Sequence, residues 1–490
     1  EFIEAENISY IPIADALIQP ENGRITIDRR GKIERLRNAY IAVNNRHLLH
    51  SANIDIESTK RYSGSAVYDY VQENNERMPV SFPELTVDTL TTSARGFIAP
   101  EQKFMLSPAF SFAGDVFLSA RTSELLFTGS AGILHDCSAI KSYPVKFKSL
   151  IDPKNVMIPL TEKPRDSNDN LVVSGSYINI DSAIVYPAFL SQQKAWTDIG
   201  LVTANGVLYY NKAKGTYQIS SVEKVANPAM NGNMVSLARN LCTLSGEGNL
   251  NFGANFDLVR MAGAGSFVQT ADSGKIDIKA ILAFDFYFSA DALKIMSDEF
   301  RTMPTLKPVN MNSDFINKGM IDLLGTSAAT QLKTETDLFG LSGNLPREYN
   351  YEILLNEVNL SWNETTSSFR SKGKIGLGFI GSQPMNIYVD GFIEIQRRRT
   401  GDLIDIYLKA DESTWYYFSY FKGIMMAKAA NNNFNTLITN LKAKDRRHPD
   451  SSVRVPYTYM IAVEDRLDRF LRRMAGDNVD DISPLDNLIR

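Results

Sequence analysis

The chain has 490 residues, with 52 Lys and Arg against 56 Asp and Glu, a net charge of −4 and 44% hydrophobic residues. Balanced charge with no long single-sign block argues against an electrostatic nucleic-acid surface, and average hydrophobicity with 30 Gly and 19 Pro excludes disordered and collagenous chains. No window reaches about 18 consecutive apolar residues, so no helix is expected to span a bilayer.

At about 150 residues per domain the length suggests roughly three domains. The chain opens on Glu1 with no initiator Met and no charged-then-apolar leader, which reads as a processed or excerpted sequence.

From residue 1 to about 285 apolar residues recur two apart between turn residues, the period of half-buried strands. Ile25 and Ile27, then Ala39, Ile41 and Val43, then Ile54 and Ile56 set the pattern. A weak internal repeat places Gly before a run of β-formers, as at Gly64, Gly96, Gly114, Gly129, Gly175, Gly206 and Gly246. Glycine there is expected where one rung turns into the next. Residues 1–150 therefore read as a β-repeat domain of jellyroll-like or solenoid-like character. The Pro-rich stretch 151–170, carrying Pro153, Pro159 and Pro164, reads as a linker or long loop. A second β domain is expected over 171–288.

Ser289 opens the first clear helix. It can cap a stretch in which Leu293, Met296 and Phe300 share one face before Pro304. A second helix is expected from Phe315 to Leu324, and the span 289–345 reads as a helical insertion. Four strand runs over 346–412 suggest an antiparallel meander. From 413 to 490 the spacing suggests helices, first with Trp415, Phe418, Phe421 and Met425 on one side. A second, over Tyr457 to Met474, is amphipathic and carries Arg466, Arg469, Arg472 and Arg473. Those arginines either face water beside a docked apolar face or meet a partner or an anionic membrane surface. The fold class expected is mainly β, with helices in the C-terminal part.

Catalytic signals are sparse. The histidines are His47, His50, His135 and His448. His47 and His50 lie three apart, but on a strand that spacing sends them to opposite faces and not to one metal. His135, Asp136 and Cys137 are adjacent, and adjacent side chains on an extended strand cannot converge as a nucleophilic triad. Asp55, Asp69, Asp88 and Asp115 would serve a glycosidase only if they cluster on one face. The phosphate-loop, dinucleotide and zinc-protease patterns do not occur, so no cofactor and no metal is expected. The cluster Tyr416, Tyr417, Phe418, Tyr420 and Phe421 suits either a core or an aromatic platform. Cys137 and Cys242 are too far apart for a thiolate metal motif and can pair in an oxidising compartment.

The runs Ala14-Asp15-Ala16-Leu17-Ile18, Gly23-Arg24-Ile25-Thr26-Ile27, Leu36-Arg37-Asn38-Ala39-Tyr40-Ile41-Ala42 and Ala52-Asn53-Ile54-Asp55-Ile56 resemble the OstA/LptA-type β-jellyroll repeat. The resemblance implies an open stack of short strands that binds or conducts lipopolysaccharide acyl chains, without catalytic residues. The Asn-rich, aromatic strand style also resembles large envelope proteins of Bacteroidetes-type bacteria. Asp88-Thr89-Leu90 and Asp181-Ser182-Ala183 match the O-glycosylation sequon used there, which makes Thr89 and Ser182 candidate acceptors. The expected location is extracytoplasmic, in the periplasm or at the outer membrane. The leading expectation is a non-enzymatic scaffold or binding protein with envelope proteins as partners. A lipid or lipopolysaccharide conduit, or a polysaccharide-binding or -cleaving surface protein, are the alternatives, with a lipid or a glycan as the ligand.

Overall fold

The computed structural model describes residues 2–476 apart from 180, 183, 255, 257, 340–350, 398–400 and 450–455. Strands make up 51% of the chain and helices 16%, in large antiparallel sheets that include a curled half-barrel. Most neighbouring strands are also consecutive in sequence, so the topology is a long meander built from local hairpins.

The first sheet has eleven strands and runs from Ile11–Ile13 at one end to Val145–Ile151 at the other. Its strands alternate buried and exposed residues. Ile41, Val43, Leu49, Ile54, Tyr62, Val80 and Phe82 turn inward. Deeper in, Tyr70, Phe104, Phe112 and Phe127 pack edge to face or tilted at centroid distances of 5.0–6.4 Å. Such pairs each add about 0.5–1.5 kcal/mol beyond area burial. The buried side of this sheet is thus filled by the chain's own side chains.

The repeat glycines do not all sit in turns. Gly64, Gly96, Gly114 and Gly129 lie within strands. Gly114 and Gly129 face each other across adjacent strands, and a Cβ on Gly129 would stand 2.2 Å from the Ala113 carbonyl oxygen. Gly248 opposes Gly265 and Gly373 opposes Gly391 in the same way. Paired glycines let neighbouring backbones approach where a sheet bends sharply.

The second sheet has fourteen strands, from Met157–Pro159 to Thr458–Ile461, antiparallel throughout except for the last pair. Residues 151–170 do not form a free linker. Asp166 is fully buried there, accepting hydrogen bonds from the Asn168 and Asn170 amides and from Gln192 Nε2. A small three-stranded sheet, Val173–Asn179, Ile184–Ser191 and Ile199–Gly200, joins neither large ladder but packs Ile178, Val185, Phe189 and Leu190 into the common core.

Helix α1 spans Val222–Ala226. Helices α2 (Ala290–Arg301), α3 (Asp314–Leu324) and α4 (Thr326–Phe339) are inserted between strands Ile276–Asp285 and Ile353–Asn363, which are themselves paired. The Ser289 hydroxyl caps α2 by accepting from the Ala292 amide. Helices α5 (Asn432–Asn440) and α6 (Glu464–Ala475) follow the last antiparallel strands.

Two expectations over the C-terminal part are corrected. Residues 414–421 and 424–429 are strands, not a helix. Alternate residues of the first pack two ways: Tyr416 and Phe418 meet Phe434 of α5, while Tyr417 stacks on Phe470 of α6. A strand buried on both faces loses its two-residue signature. The Tyr457 to Met474 helix is also shorter, because Thr458–Ile461 pairs with Ile424–Ala429 as a parallel strand before α6 begins.

Candidate functional site

The residues singled out by sequence are dispersed. His47 is fully buried with Nε2 2.7 Å from the Thr122 carbonyl oxygen, whereas His50 lies nearer the surface beside Asp69 at 3.2 Å. Asp55 pairs with Arg35, Asp69 also with Arg77, and Asp88 accepts from Thr89 in a hairpin turn, while Asp115 is exposed. The aromatic cluster of residues 416–421 is core, not platform.

Cys137 and Cys242 form a disulfide, so Cys137 carries no thiol. His135 Nε2 lies 2.9 Å from Ser142 Oγ, and that hydroxyl donates at 2.7 Å to the Phe189 carbonyl. A serine whose proton is already given to a carbonyl does not pass it to a base. Burial lowers the His135 pKa, with Asp136 opposing, and its Nδ1 has no hydrogen-bond partner among the described residues.

The arginines of α6 divide between two environments. Arg466 and Arg473, expected in water or against a partner, are each only 4% exposed. Arg466 reaches Asp405 at 3.1 Å, and Arg473 reaches Glu394 at 2.5 Å and Asp405 at 3.2 Å. Arg370 adds a third guanidinium, 2.9 Å from Glu394. Burial alone would raise the pKa of Asp405, but Arg466, Arg473, Ser419 and Tyr417 hold it below the usual carboxylate range. Arg469 pairs along the helix with Asp465, and Arg472 is exposed. Thus α6 docks by charge as well as by Leu467, Phe470 and Met474.

A second buried charge cluster went unseen in the sequence. Lys224 of α1 is sealed from solvent, with Nζ 2.9 Å from Glu247 and 2.7 Å from the Met230 carbonyl. Lys318 of α3 reaches the same Glu247 at 2.8 Å, and Asp322 accepts from the Gly232 amide. Burial lowers the Lys224 pKa against the pull of Glu247, and burial raises that of Asp322. The lysine donates to a carboxylate and a carbonyl, so it clamps the 227–233 loop to strand Thr243–Asn249, while Lys318 and Asp322 tie α3 to the same strand and loop.

Three surface features stand out among the described residues. A polar trough of about 620 Å³ crosses the outer face of the second sheet, with Lys279, Arg370, Lys372 and Arg473 in its lining. A smaller, mainly apolar pocket of about 310 Å³ lies between α3, α4 and Phe379, with Met311, Met320 and Leu332 in its wall.

The third is Trp196, 91% exposed. Its loop is held rigidly. The buried Asp198 carboxylate accepts from Asn179 Nδ2 at 2.7 Å, from the Ala195 amide at 2.9 Å and from the Tyr186 hydroxyl. The Lys194 amide donates to the Tyr186 oxygen, and the Lys194 ammonium sits 4.6 Å from the Tyr186 ring centroid. Burial, and then the Asp198 carboxylate, push the Tyr186 pKa up, which keeps it a donor. Nothing in the sequence marks Trp196, because exposure is not a local property.

The fold and these sites define a class: a large antiparallel β-sheet protein with a filled interior and its accessible chemistry on the outside. Comparison with known family models, with curated proteins and with solved structures finds no match.

Proposed function

We propose that the chain is a non-enzymatic scaffold or binding protein of the bacterial cell envelope, acting through contacts with other proteins. The observation that carries this reading is Trp196: a nearly fully exposed tryptophan on a loop pinned by a buried carboxylate. A large exposed aromatic exposes apolar area to water, while a rigid loop has little conformational entropy left to lose on binding, so the residue is poised as an interface anchor. Tyr40 and Leu48, on the outer face of the first sheet, add exposed apolar area.

Two further features favour an extracytoplasmic setting. The Cys137–Cys242 disulfide persists in oxidising compartments. Thr89 and Ser182 are both exposed in turns joining paired strands, where an acceptor hydroxyl is reachable by a modifying enzyme.

The lipid conduit needs an apolar groove, and the inward side chains of residues 11–151 close on one another instead, which favours the scaffold. A glycan-binding reading has one specific support, because the same indole face can stack on a sugar ring. A photo-crosslinking amino acid placed at position 196 in the producing cells separates the two. Cross-links to one protein, well above those from a control probe at exposed Lys163, support the scaffold. Cross-links to polysaccharide transfer the site to the glycan reading, and yields equal to the control contradict both.

A further inference from the structure

The disulfide between the two large sheets has a third neighbour. Asp272 Oδ1 lies 3.2 Å from Cys242 Sγ, and the contact is not a hydrogen bond, because a bridged sulfur carries no proton. Asp272 is exposed, so nothing obliges its carboxylate to stand against sulfur instead of in water. One ligand atom from each of Cys137, Cys242 and Asp272 lies within 4.8 Å of the other two. The three lie 105 and 30 residues apart in sequence, beyond the reach of any local motif.

Three separate segments bring these residues together, and backbone hydrogen bonds hold them there without the bridge. Cys137 follows strand Leu125–Ile133, where the Asp136 amide donates to the Arg239 carbonyl at 2.9 Å. Cys242 lies between strands Met234–Ala238 and Thr243–Asn249, and its carbonyl accepts from the Ala271 amide at 2.8 Å. Asp272 is the next residue, in the turn between Arg260–Thr270 and Ile276–Asp285, which the Thr270 amide closes onto the Lys275 carbonyl at 2.9 Å. The cysteine Cα atoms are 4.6 Å apart. Reduction therefore frees two thiols that still face each other, with a carboxylate beside them.

We propose that the reduced chain binds one Zn2+ ion through the thiolates of Cys137 and Cys242 and the carboxylate of Asp272. Tetrahedral Zn2+, with Zn–S of about 2.3 Å and Zn–O of about 2.1 Å, sets an S···O edge of about 3.6 Å and an S···S edge of about 3.8 Å. The S···O spacing of 3.2 Å is close to the first, and rotation of the cysteine side chains reaches the second. Two soft thiolates select zinc over Mg2+ and Ca2+, which are held by oxygen. Cys137 is buried, Cys242 half-buried and Asp272 exposed, so the fourth position opens to water on the Asp272 side. The chemistry balances. A dithiol reductant becomes a disulfide as Cys137 and Cys242 each gain a hydrogen, and Zn2+ then displaces those two protons to solvent. The ion replaces the bridge as the pin between the sheets. The site uses no residue of the Trp196 loop, so neither reading depends on the other.

The test is a titration of Co2+, whose thiolate complexes absorb in the near ultraviolet, into the full chain reduced with a phosphine, followed by Zn2+ in competition. The expected result is one thiolate-bound Co2+ per reduced chain, displaced by Zn2+, and none on the bridged chain. Asp272→Asn, at an exposed position where circular dichroism is the control for folding, weakens Zn2+ binding by about tenfold or more. Zn2+ also raises the Tm of the reduced chain and leaves that of the bridged chain unchanged. Absence of thiolate absorption on the reduced chain, equal uptake by the bridged chain, or a Zn2+ affinity indifferent to Asp272→Asn overturns the proposal.

Discussion

In the C-terminal part, single buried charges matter beside the apolar packing of α6. Asp405 is fully buried among Arg466, Arg473 and Tyr417, so removing its charge strands two guanidiniums. Asp405→Asn is expected to lower stability by roughly 3–5 kcal/mol near neutral pH, measured by urea unfolding. The folded pKa of Asp405 is depressed, so its contribution is present above the ordinary carboxylate pKa and is lost as pH falls through the folded value. The variant should therefore show a flatter acid limb. Glu352 runs the other way. Burial, with a smaller push from Asp285, raises its pKa to about 7. An acid raised in the folded state destabilises above its folded pKa, and the penalty fades as pH falls toward the unfolded value. Glu352→Gln is thus expected to stabilise by roughly 1–3 kcal/mol at about pH 8, with the gain shrinking toward about pH 4.5. A pH-independent gain would show that some other contact is responsible.

At the level of elements, the pairing of strands Phe110–Ser119 and Leu125–Ile133 depends on close backbone approach at Gly114 and Gly129. Gly129→Val places methyl groups against the Ala113 carbonyl and Gly114, and is expected to cost about 1–3 kcal/mol. Chemical denaturation of this variant beside Ser123→Val, a change at an exposed loop position, checks it, and equal stabilities would contradict the close-approach account. The strands legible in the sequence were those with one wet face, such as Leu36–Val43, whose buried and exposed residues alternate. Thr414–Phe421 was misread as helix because α5 and α6 bury both of its faces, and its aromatics fit either period. Glycines 114 and 129 were visible as a pattern, but their pairing across strands is a matter of register, which the pattern does not encode. The arginines of α6 were visible too. Their carboxylate partners sit 61 to 79 residues away, beyond any local signal. Trp196 illustrates the same limit, since its exposure follows from a loop anchored by Asn179 and Tyr186.

At the scale of the whole molecule, two large sheets meet and are pinned at one junction. Cys137, just beyond strand Leu125–Ile133, is bonded to Cys242 between two strands of the second sheet. Beside it the Tyr217 hydroxyl lies 2.9 Å from the Ala109 carbonyl oxygen and 2.8 Å from that of Leu134, sharing its one proton between them, and accepts from the Leu134 amide, while the Asp136 amide donates to the Arg239 carbonyl. The closed loop spans a sequence separation of 105. Replacing both cysteines by Ser is expected to cost about 2–4 kcal/mol, seen as a lower melting temperature that added reductant no longer changes. A melting temperature equal to that of the unmodified chain would show that the hydrogen bonds alone hold the junction. The central claim is that this filled β-sheet molecule works by holding another protein on its outer surface, with Trp196 as the anchor. Native mass spectrometry of the protein isolated gently from its source, beside Trp196→Ala, tests it most directly. The account predicts a stoichiometric protein subunit on the unmodified chain that is lost from the variant, with no bound lipid mass. A discrete lipid adduct that survives washing, retained equally by the variant and without any protein subunit, would contradict it.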